Sequence, residues 1–345
     1  MTPLHWLVST MNRMLGVVDI AVLRRSEVDL LRRFAPARAS SYRPTALPPD
    51  AEDYLRANNP RLLELKQRYR AFNGGVMTRT RWTDEHVQGI KLTHFRGDNP
   101  FIWQLRENNQ LQYLLTAYYA LLNDRLGVLQ SGEDELFGVH VFDVNGQLKV
   151  SRDLLDSAAE IAFLDRALGI ANWAGETVLD IGAGYGRLAY RMVKALPALG
   201  SILCTDAVAE SSFLCEFYLR FRGVSPKAMA VPIDEIEQAL SRTRVTLAVN
   251  VHSFSECPIE AIRWWLALLE KHGVRYLMIV PNASESNRGG IELRSREATP
   301  DQHLDYSAVI ESAGYHLVTR EPKYLDFSAQ AHGLSPTYYH LFERR

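Results

Sequence analysis

The run Val178-Leu-Asp180-Ile-Gly182-Ala-Gly184-Tyr-Gly186 ends an apolar stretch and opens a proline-free segment that reaches Leu196, with Pro197 as its stop. A strand that turns through alternating glycines into a helix commits this part of the chain to a strand–loop–helix unit. Glycines there permit a sharp turn and close backbone approach, and the helix N-terminus offers N–H groups to a carboxylate. Asp180, two residues before the first glycine, repels a pyrophosphate but suits an ammonium group. The spacing is also G-x-G-x-G rather than the G-x-G-x-x-G of a dinucleotide site. The loop therefore fits the amino-acid end of a ligand, with Asp180, Gly182, Ala183, Gly184, Tyr185 and Gly186 as its binding residues.

A second apolar run, Ser201-Ile-Leu-Cys-Thr, ends in Asp206-Ala207, where a carboxylate can take both hydroxyls of a ribose. A third ends in Val231-Pro-Ile233-Asp234, which lets Ile233 pack on an adenine and Asp234 accept from its amino group. For Asp234 a helix N-cap is the competing reading. Amino acid plus adenosine spells S-adenosylmethionine, the cofactor expected here.

From Trp173 onward short apolar runs alternate with helical ones, the pattern of a parallel sheet covered on both faces. Expected strands are 177–181, 201–206, 227–232, 245–251 and 274–280, with 315–321 and 337–343 as a closing pair. Upstream, Asn145-Gly146 between two β-rich runs predicts a hairpin over 139–150. Ser151 should cap a helix through Leu168, whose apolar stripe is Leu154, Leu155, Ala158, Ile161, Ala162 and Leu168. Between Asp50 and Leu126 the pattern is helical, with Asp50 and Thr83 at N-caps, Pro60 in a first turn and Asn73-Gly74-Gly75 as a stop. The prolines between Phe34 and Asp50 mark a linker. Three units follow: 1–50, an amphipathic segment and linker; 51–150, a helical cap with hairpin; 151–345, the cofactor-binding domain.

The fourth strand, Val245-Thr-Leu-Ala-Val-Asn250-Val251-His252-Ser253-Phe-Ser-Glu256, turns polar at its carboxyl end, where open α/β sheets bind ligands. Asn250 and Val251 are expected at the cofactor and Ser253 at the acceptor. No Asn/Asp-Pro-Pro-Tyr/Phe run or Pro-Cys nucleophile stands here, so oxygen is the expected acceptor atom. An alkyl hydroxyl benefits from a base, and His252, with Glu256 as partner or second base, has the chemistry for it. A merely hydrogen-bonded histidine is the competing reading. Asn282 to Thr299 is polar, carries Gly289-Gly290, and reads as an acceptor lid in which Asn282 and Glu285 contact substrate. No Asp-Asp pair follows the fourth or fifth strand, so no metal is expected.

The strand pattern and glycine loop resemble class I S-adenosylmethionine-dependent methyltransferases, whose last strand inserts antiparallel into a seven-stranded, mostly parallel Rossmann-like sheet. Val150-Ser-Arg152-Asp153-Leu-Leu-Asp156-Ser157 and Asn250-Val-His252-Ser-Phe-Ser-Glu256 resemble the sugar O-methyltransferase family, from about Asn59 to the C-terminus. Cys257 stands where that pattern has methionine. The resemblance implies a helical N-terminal region forming part of the acceptor site and a carbohydrate hydroxyl as substrate. It implies that Arg152 and Asp153 close over cofactor or acceptor, a helix-start ion pair being the alternative. Trp82, Phe95, Trp103 and Tyr113 are candidates for stacking on sugar rings, against the commoner core role.

The 345 residues have a formal net charge of −1 and no dense Lys/Arg stripe, which argues against nucleic acid as a partner. The three cysteines, Cys204, Cys215 and Cys257, lack metal-ligand spacing, consistent with a reducing cytoplasm. Leu4 to Leu23 is interrupted by Asn12, Arg13 and Asp19, too polar for a bilayer span. Its helical spacing suits packing on its own domain, a membrane surface, or a second copy in a homodimer.

Overall fold

The computed structural model describes residues 3–15, 22, 24–25, 46–97, 101, 110–144, 146, 148–282, 292–299 and 302–345. The hairpin, strands β1 (Phe142–Val144) and β2 (Leu148–Val150), forms with Gly146 in the left-handed region the turn demands. The remaining strands are β3 (Thr177–Ile181), β4 (Ser201–Thr205), β5 (Ala228–Ala230), β6 (Val245–Val251), β7 (Tyr276–Val280), β8 (Tyr315–Pro322) and β9 (Tyr338–Arg344). They form one seven-stranded sheet in the order β5-β4-β3-β6-β7-β9-β8. β3 through β7 pair in parallel, and β9 inserts antiparallel between β7 and β8. The order reverses between β3, flanked by β4, and β6, so the carboxyl ends of these strands frame the crevice where such sheets bind ligands. All seven expected strands are present, within a few residues at their ends.

The described helices are α1 (Pro3–Leu15), α2 (Ala51–Tyr54), α3 (Pro60–Ala71), α4 (Asp84–Gln88), α5 (Gln110–Asn123), α6 (Arg152–Leu168), α7 (Arg187–Ala195), α8 (Ala209–Phe221), α9 (Ile236–Arg242), α10 (Ile259–Lys271), α11 (Ser307–Ser312) and α12 (Phe327–His332). Thr83 and Ser151 cap as their positions predict, and Pro60 takes the first position of α3. Asp50 does not cap: it sits at φ 63° before α2 and makes no side-chain bond to the helix. α3 stops at Ala71, just ahead of Asn73-Gly74-Gly75. α1 packs on its own chain, with Asn12 Nδ2 3.2 Å from Ser328 Oγ, and leaves Trp6, Leu7 and Met14 exposed. No described helix is long and apolar enough to cross a membrane.

One continuous hydrophobic core runs from Ala51 to Phe342, so the helical region before the hairpin and the sheet domain share an interior. At the seam α6 departs from a simple amphipathic stripe. Leu154, Leu155, Ala158 and Ile161 are buried as expected, but so are Asp153, Asp156, Ser157 and Glu160. Their partners explain why the polar side can be buried. Asp153 Oδ2 accepts from Arg96 Nε (3.2 Å) and from the hydroxyl of Tyr185 (2.9 Å). Arg96, wholly buried, also reaches Glu133 (2.5 Å) and Asp134 (2.7 Å), and Arg191 donates to the other oxygen of Glu133 (3.1 Å). Burial alone would raise the Asp153 carboxyl, but Arg96 and Arg191 outweigh it and hold it well below the usual carboxylate range.

Removing one member of such a network leaves the others as uncompensated buried charges. Asp153→Ala is therefore expected to lower stability by roughly 3–5 kcal/mol, measured by urea denaturation; a loss within the surface-substitution range, about 0.5 kcal/mol, would show that the network carries no such weight.

Candidate active site

A cavity of about 200 Å³ opens at the carboxyl ends of β3, β4 and β6. Its floor is the glycine loop, whose conformation is forced by packing inside the protein. Gly182 lies at φ 71°, and a Cβ there would stand 2.2 Å from Ser253 Oγ; at Gly186, φ 84°, it would meet Cys215 Sγ at 2.9 Å. The glycines thus admit the β6 turn and α8, where the sequence suggested clearance for a ligand. The N–H groups of Gly182 and Ala183 both reach Thr205 O at the end of β4, locking the two strand ends together.

Two carboxylates flank the loop. Asp206 is fixed by the N–H groups of Gly184 (3.1 Å) and Val208 (2.9 Å), which leave lone pairs of its oxygens open to the cavity. Burial pushes its carboxyl up to about 6 against those two bonds. Asp180 lines the cavity, is 4% exposed, and accepts no hydrogen bond from a described residue. Burial pushes it up to about 7, with Glu160 and Asp206 adding to the rise and Arg187 opposing it. A buried carboxylate without a protein donor calls for a cationic or donating ligand.

The turn after β6 carries His252 at φ 69°, ψ −31°, a conformation rare outside glycine. Its Nδ1 is buried without a hydrogen-bond partner, and the residue is part of the cavity lining. Burial lowers its pKa to about 3; Arg187, Arg152 and Lys323 push the same way and Asp156 opposes them. The imidazole is neutral throughout the physiological range. Asn250, fully buried, supports the turn by donating to Ser253 Oγ (2.5 Å) and Ile181 O (3.1 Å) and accepting from Phe254 N (3.0 Å).

Glu256 lines the cavity with its carboxylate engaged. It accepts from Trp82 Nε1 (2.6 Å) and Asn282 Nδ2 (3.3 Å) and pairs with Arg81 (3.1 Å), and its backbone oxygen accepts from Thr80 (3.2 Å). Residues 78–82 therefore cross the cavity as a strap. At the other end of the strap, Arg79 donates to Ala207 O at 3.0 Å. Trp82 lies 5.6 Å from Phe101, whose ring also approaches Gly184.

The structure brings Asp180, Gly182, Ala183, Gly184, Tyr185, Asp206, Ala207, Val251, His252, Ser253, Glu256, Arg152 and Asn282 to one cavity wall. It does not bring Gly186, which faces Cys215 and Leu219 on α8, or Ile233, Asp234, Asn250 and Asp153 there. Ile233 is fully buried with its N–H on Tyr69, and Asp234 is drawn away by Arg68 at 2.8 Å. Asp153 lies beneath the loop in the arginine network. Glu285, Gly289-Gly290 and Trp103 lie outside the described residues. Phe95 and Tyr113 are core, Tyr113 stacking on Phe142 at 3.9 Å. Sequence reasoning missed Arg79, Arg81, Asp156 and Arg187 as lining residues. Only the alternation Arg79-Thr-Arg81-Trp82 hinted that one face of an extended segment is charged.

No family model matches the chain, and no curated protein matches it. Among solved structures, a magnesium protoporphyrin IX methyltransferase from Synechocystis PCC 6803 with bound SAM aligns over 67% of this chain and 97% of that one, at 12% identity and a TM-score of 0.38. An S-adenosylmethionine-dependent methyltransferase from Clostridium acetobutylicum ATCC 824 aligns over 55% and 90%, at 10% identity and a TM-score of 0.36. A protein of the NADB-Rossmann superfamily from Streptococcus agalactiae aligns over 52% and 67%, at 11% identity and a TM-score of 0.34. Likenesses this distant say nothing of substrate. The strand order, with β9 inverted beside β7, decides the architecture. The chain has a Rossmann-like α/β fold with a mostly parallel seven-stranded sheet.

The raised Asp180 has a consequence for stability. Between about pH 4 and 7 the folded state holds a proton that the unfolded state has released, so stability from this group is present below the unfolded carboxylate range and lost as pH rises through about 7. Asp180→Asn cannot ionise, so its ligand-free form is expected to melt several degrees above wild type at pH 8, with little difference at pH 4. Calorimetric scans at the two pH values check this; equal melting at pH 8 would mean that Asp180 is not destabilised by burial.

Proposed function

We propose that this protein is an S-adenosylmethionine-dependent O-methyltransferase that acts on a carbohydrate hydroxyl. The observation that carries the cofactor reading is the pair of raised carboxylates, Asp180 and Asp206, on either side of the glycine loop. Asp180 would hold the ammonium group and Asp206 the ribose hydroxyls. The bound cofactor supplies an electrophilic methyl group on a sulfonium.

His252 is assigned as the group that takes the acceptor proton. It faces the cavity in its neutral, proton-accepting form, and Asp156 is the carboxylate that stabilises its protonated state. Glu256, already engaged by Trp82, Arg81 and Asn282, is assigned to holding the strap rather than to proton transfer. The resemblance of the Asn250–Glu256 and Val150–Ser157 runs to sugar O-methyltransferases supports a carbohydrate acceptor, as does Trp82, an indole at the cavity wall suited to a pyranose ring. Arg152 and Asn282, which line the cavity, are assigned to the acceptor.

Titration calorimetry with S-adenosylhomocysteine tests the cofactor half. Wild type should bind, Asp206→Ala should lose about 1.5–3 kcal/mol of affinity, and no wild-type binding would sink the reading. Labelled methyl transfer to a panel of mono- and oligosaccharides tests the acceptor half.

Because Asp180 and Asp206 must ionise to bind, kcat/KM for the cofactor should fall as pH drops through about 7 to 6. His252 should add no inflection near 6.5, its proton-accepting form persisting down to about 3. His252→Ala should lower kcat by roughly 10²–10⁴-fold with S-adenosylhomocysteine affinity nearly unchanged. Near wild-type turnover by a folded His252→Ala protein across pH 6 to 9 would remove His252 from the role.

A further inference from the structure

At the outer edge of the cavity three basic side chains from different parts of the chain converge. Arg81 belongs to the strap, His86 to α4, and Arg296 to the segment that returns after Glu292. The backbone N–H of Arg296 donates to Cys257 O at 2.9 Å, which anchors that segment beside Glu256 and the cavity wall. Trp82 links the cluster to the cavity, since its ring is 5.1 Å from that of His86 and its Nε1 is on Glu256.

The hydrogen-bonding groups here are incompletely answered. Arg81 pairs with Glu256 through one nitrogen at 3.1 Å, and Glu256 is shared with Trp82 and Asn282. The side chain of Arg296 makes no ion pair or hydrogen bond with a described residue, although it is only partly exposed. His86 Nε2 is buried without a hydrogen-bond partner. Among the charged groups that act on His86, Arg81 and Arg296 oppose its protonation and Glu256 alone favours it. The neighbouring carboxylates are occupied or turned outward. Glu297 accepts from Ile259 N (3.0 Å) and from Ser295 Oγ, and Asp84 is exposed and faces Arg79.

Two guanidinium groups and an imidazole around a half-buried rim make a receptor for an oxyanion, which guanidinium recognises by paired, charge-assisted hydrogen bonds. We propose that Arg81, Arg296 and His86 form an anion subsite at the cavity mouth, and that the acceptor is an acidic carbohydrate bearing a carboxylate or phosphoryl group. The acceptor part of this proposal rests on the carbohydrate O-methyltransferase reading. Seated there, the anion would lie beside Trp82 and direct the neutral part of the sugar inward toward His252. Charge at the rim would thus select the substrate while the chemistry takes place deeper in the cavity.

The test uses the full chain saturated with S-adenosylhomocysteine, with glucose, glucuronate and glucose 6-phosphate as calorimetric probes. At least one anionic probe should bind about tenfold or more tightly than glucose, the value of one charge-assisted contact. That margin should shrink as salt is raised. Glucuronate and glucose 6-phosphate separate the carboxylate and phosphoryl alternatives. Arg296→Gln, remote from the cofactor loop, should reduce the margin severalfold while leaving S-adenosylhomocysteine affinity unchanged, and Arg81→Gln should reduce it as well. Equal binding of all three sugars by wild type, or an anion preference that survives in both variants, overturns the subsite. If wild type binds no S-adenosylhomocysteine, the proposed function fails, and the subsite is then read separately with inorganic phosphate on the cofactor-free protein. In that case binding by wild type that Arg296→Gln abolishes supports the subsite, and no wild-type binding overturns it.

Discussion

The buried contact of Arg96 with Asp153 holds the two halves of this molecule in register. Arg96 comes from the helical region before the hairpin, Asp153 from the first turn of α6, and Tyr185, which donates to the same carboxylate, from the glycine loop. One oxygen atom therefore joins the cap to the loop. Ion pairs buried this deeply add little net stability compared with a well-packed apolar replacement. Moving either partner would leave the other as a buried, unanswered charge, which favours the placement in which Arg96, Glu133 and Asp153 are all paired. The strap over the cavity can meet Ala207 at one end and Glu256 at the other only if the region carrying it sits in that one position.

The sheet was legible in the sequence because its information is local. Continuous apolar runs mark strands buried on both faces, Asn145-Gly146 marks a turn, and Ser151 marks a helix start, each by rules that span a few residues. The loop with Asp180 and Asp206 was legible for the same reason. Arg79, Arg81 and Asp156 were not, since each owes its place to contacts with residues far away in the chain: Arg81 with Glu256, Asp156 with Lys323 at 2.6 Å. Ile233 and Asp234 show the converse. Their position after β5 promised an adenine contact, but Tyr69 and Arg68 on α3, a helix no local pattern connects to them, engage both.

His252 joins two unfavourable states, a left-handed backbone and an imidazole kept neutral by burial, with nearby cations adding to the effect. Asn250 makes the first tolerable by fastening the turn on both sides, and Asp156 moderates the second. Neither state helps the protein fold, and both set the ring against the cavity in a proton-accepting form. Strain at a cavity wall, where a glycine would relieve it, is the feature that the proposed role of His252 would draw on.

The inverted last strand bears on how the chain is made. β7 pairs with β6 on one side, but its other side waits for β9, which lies beyond β8 in the sequence. During synthesis the apolar run Tyr276–Val280 must therefore remain an open edge while some sixty further residues are added. An unpaired edge of this kind can recruit strands from other nascent chains. β8 in turn pairs with β9, so both β7 and β8 gain this neighbour only once Tyr338–Arg344 has been made and lies between them.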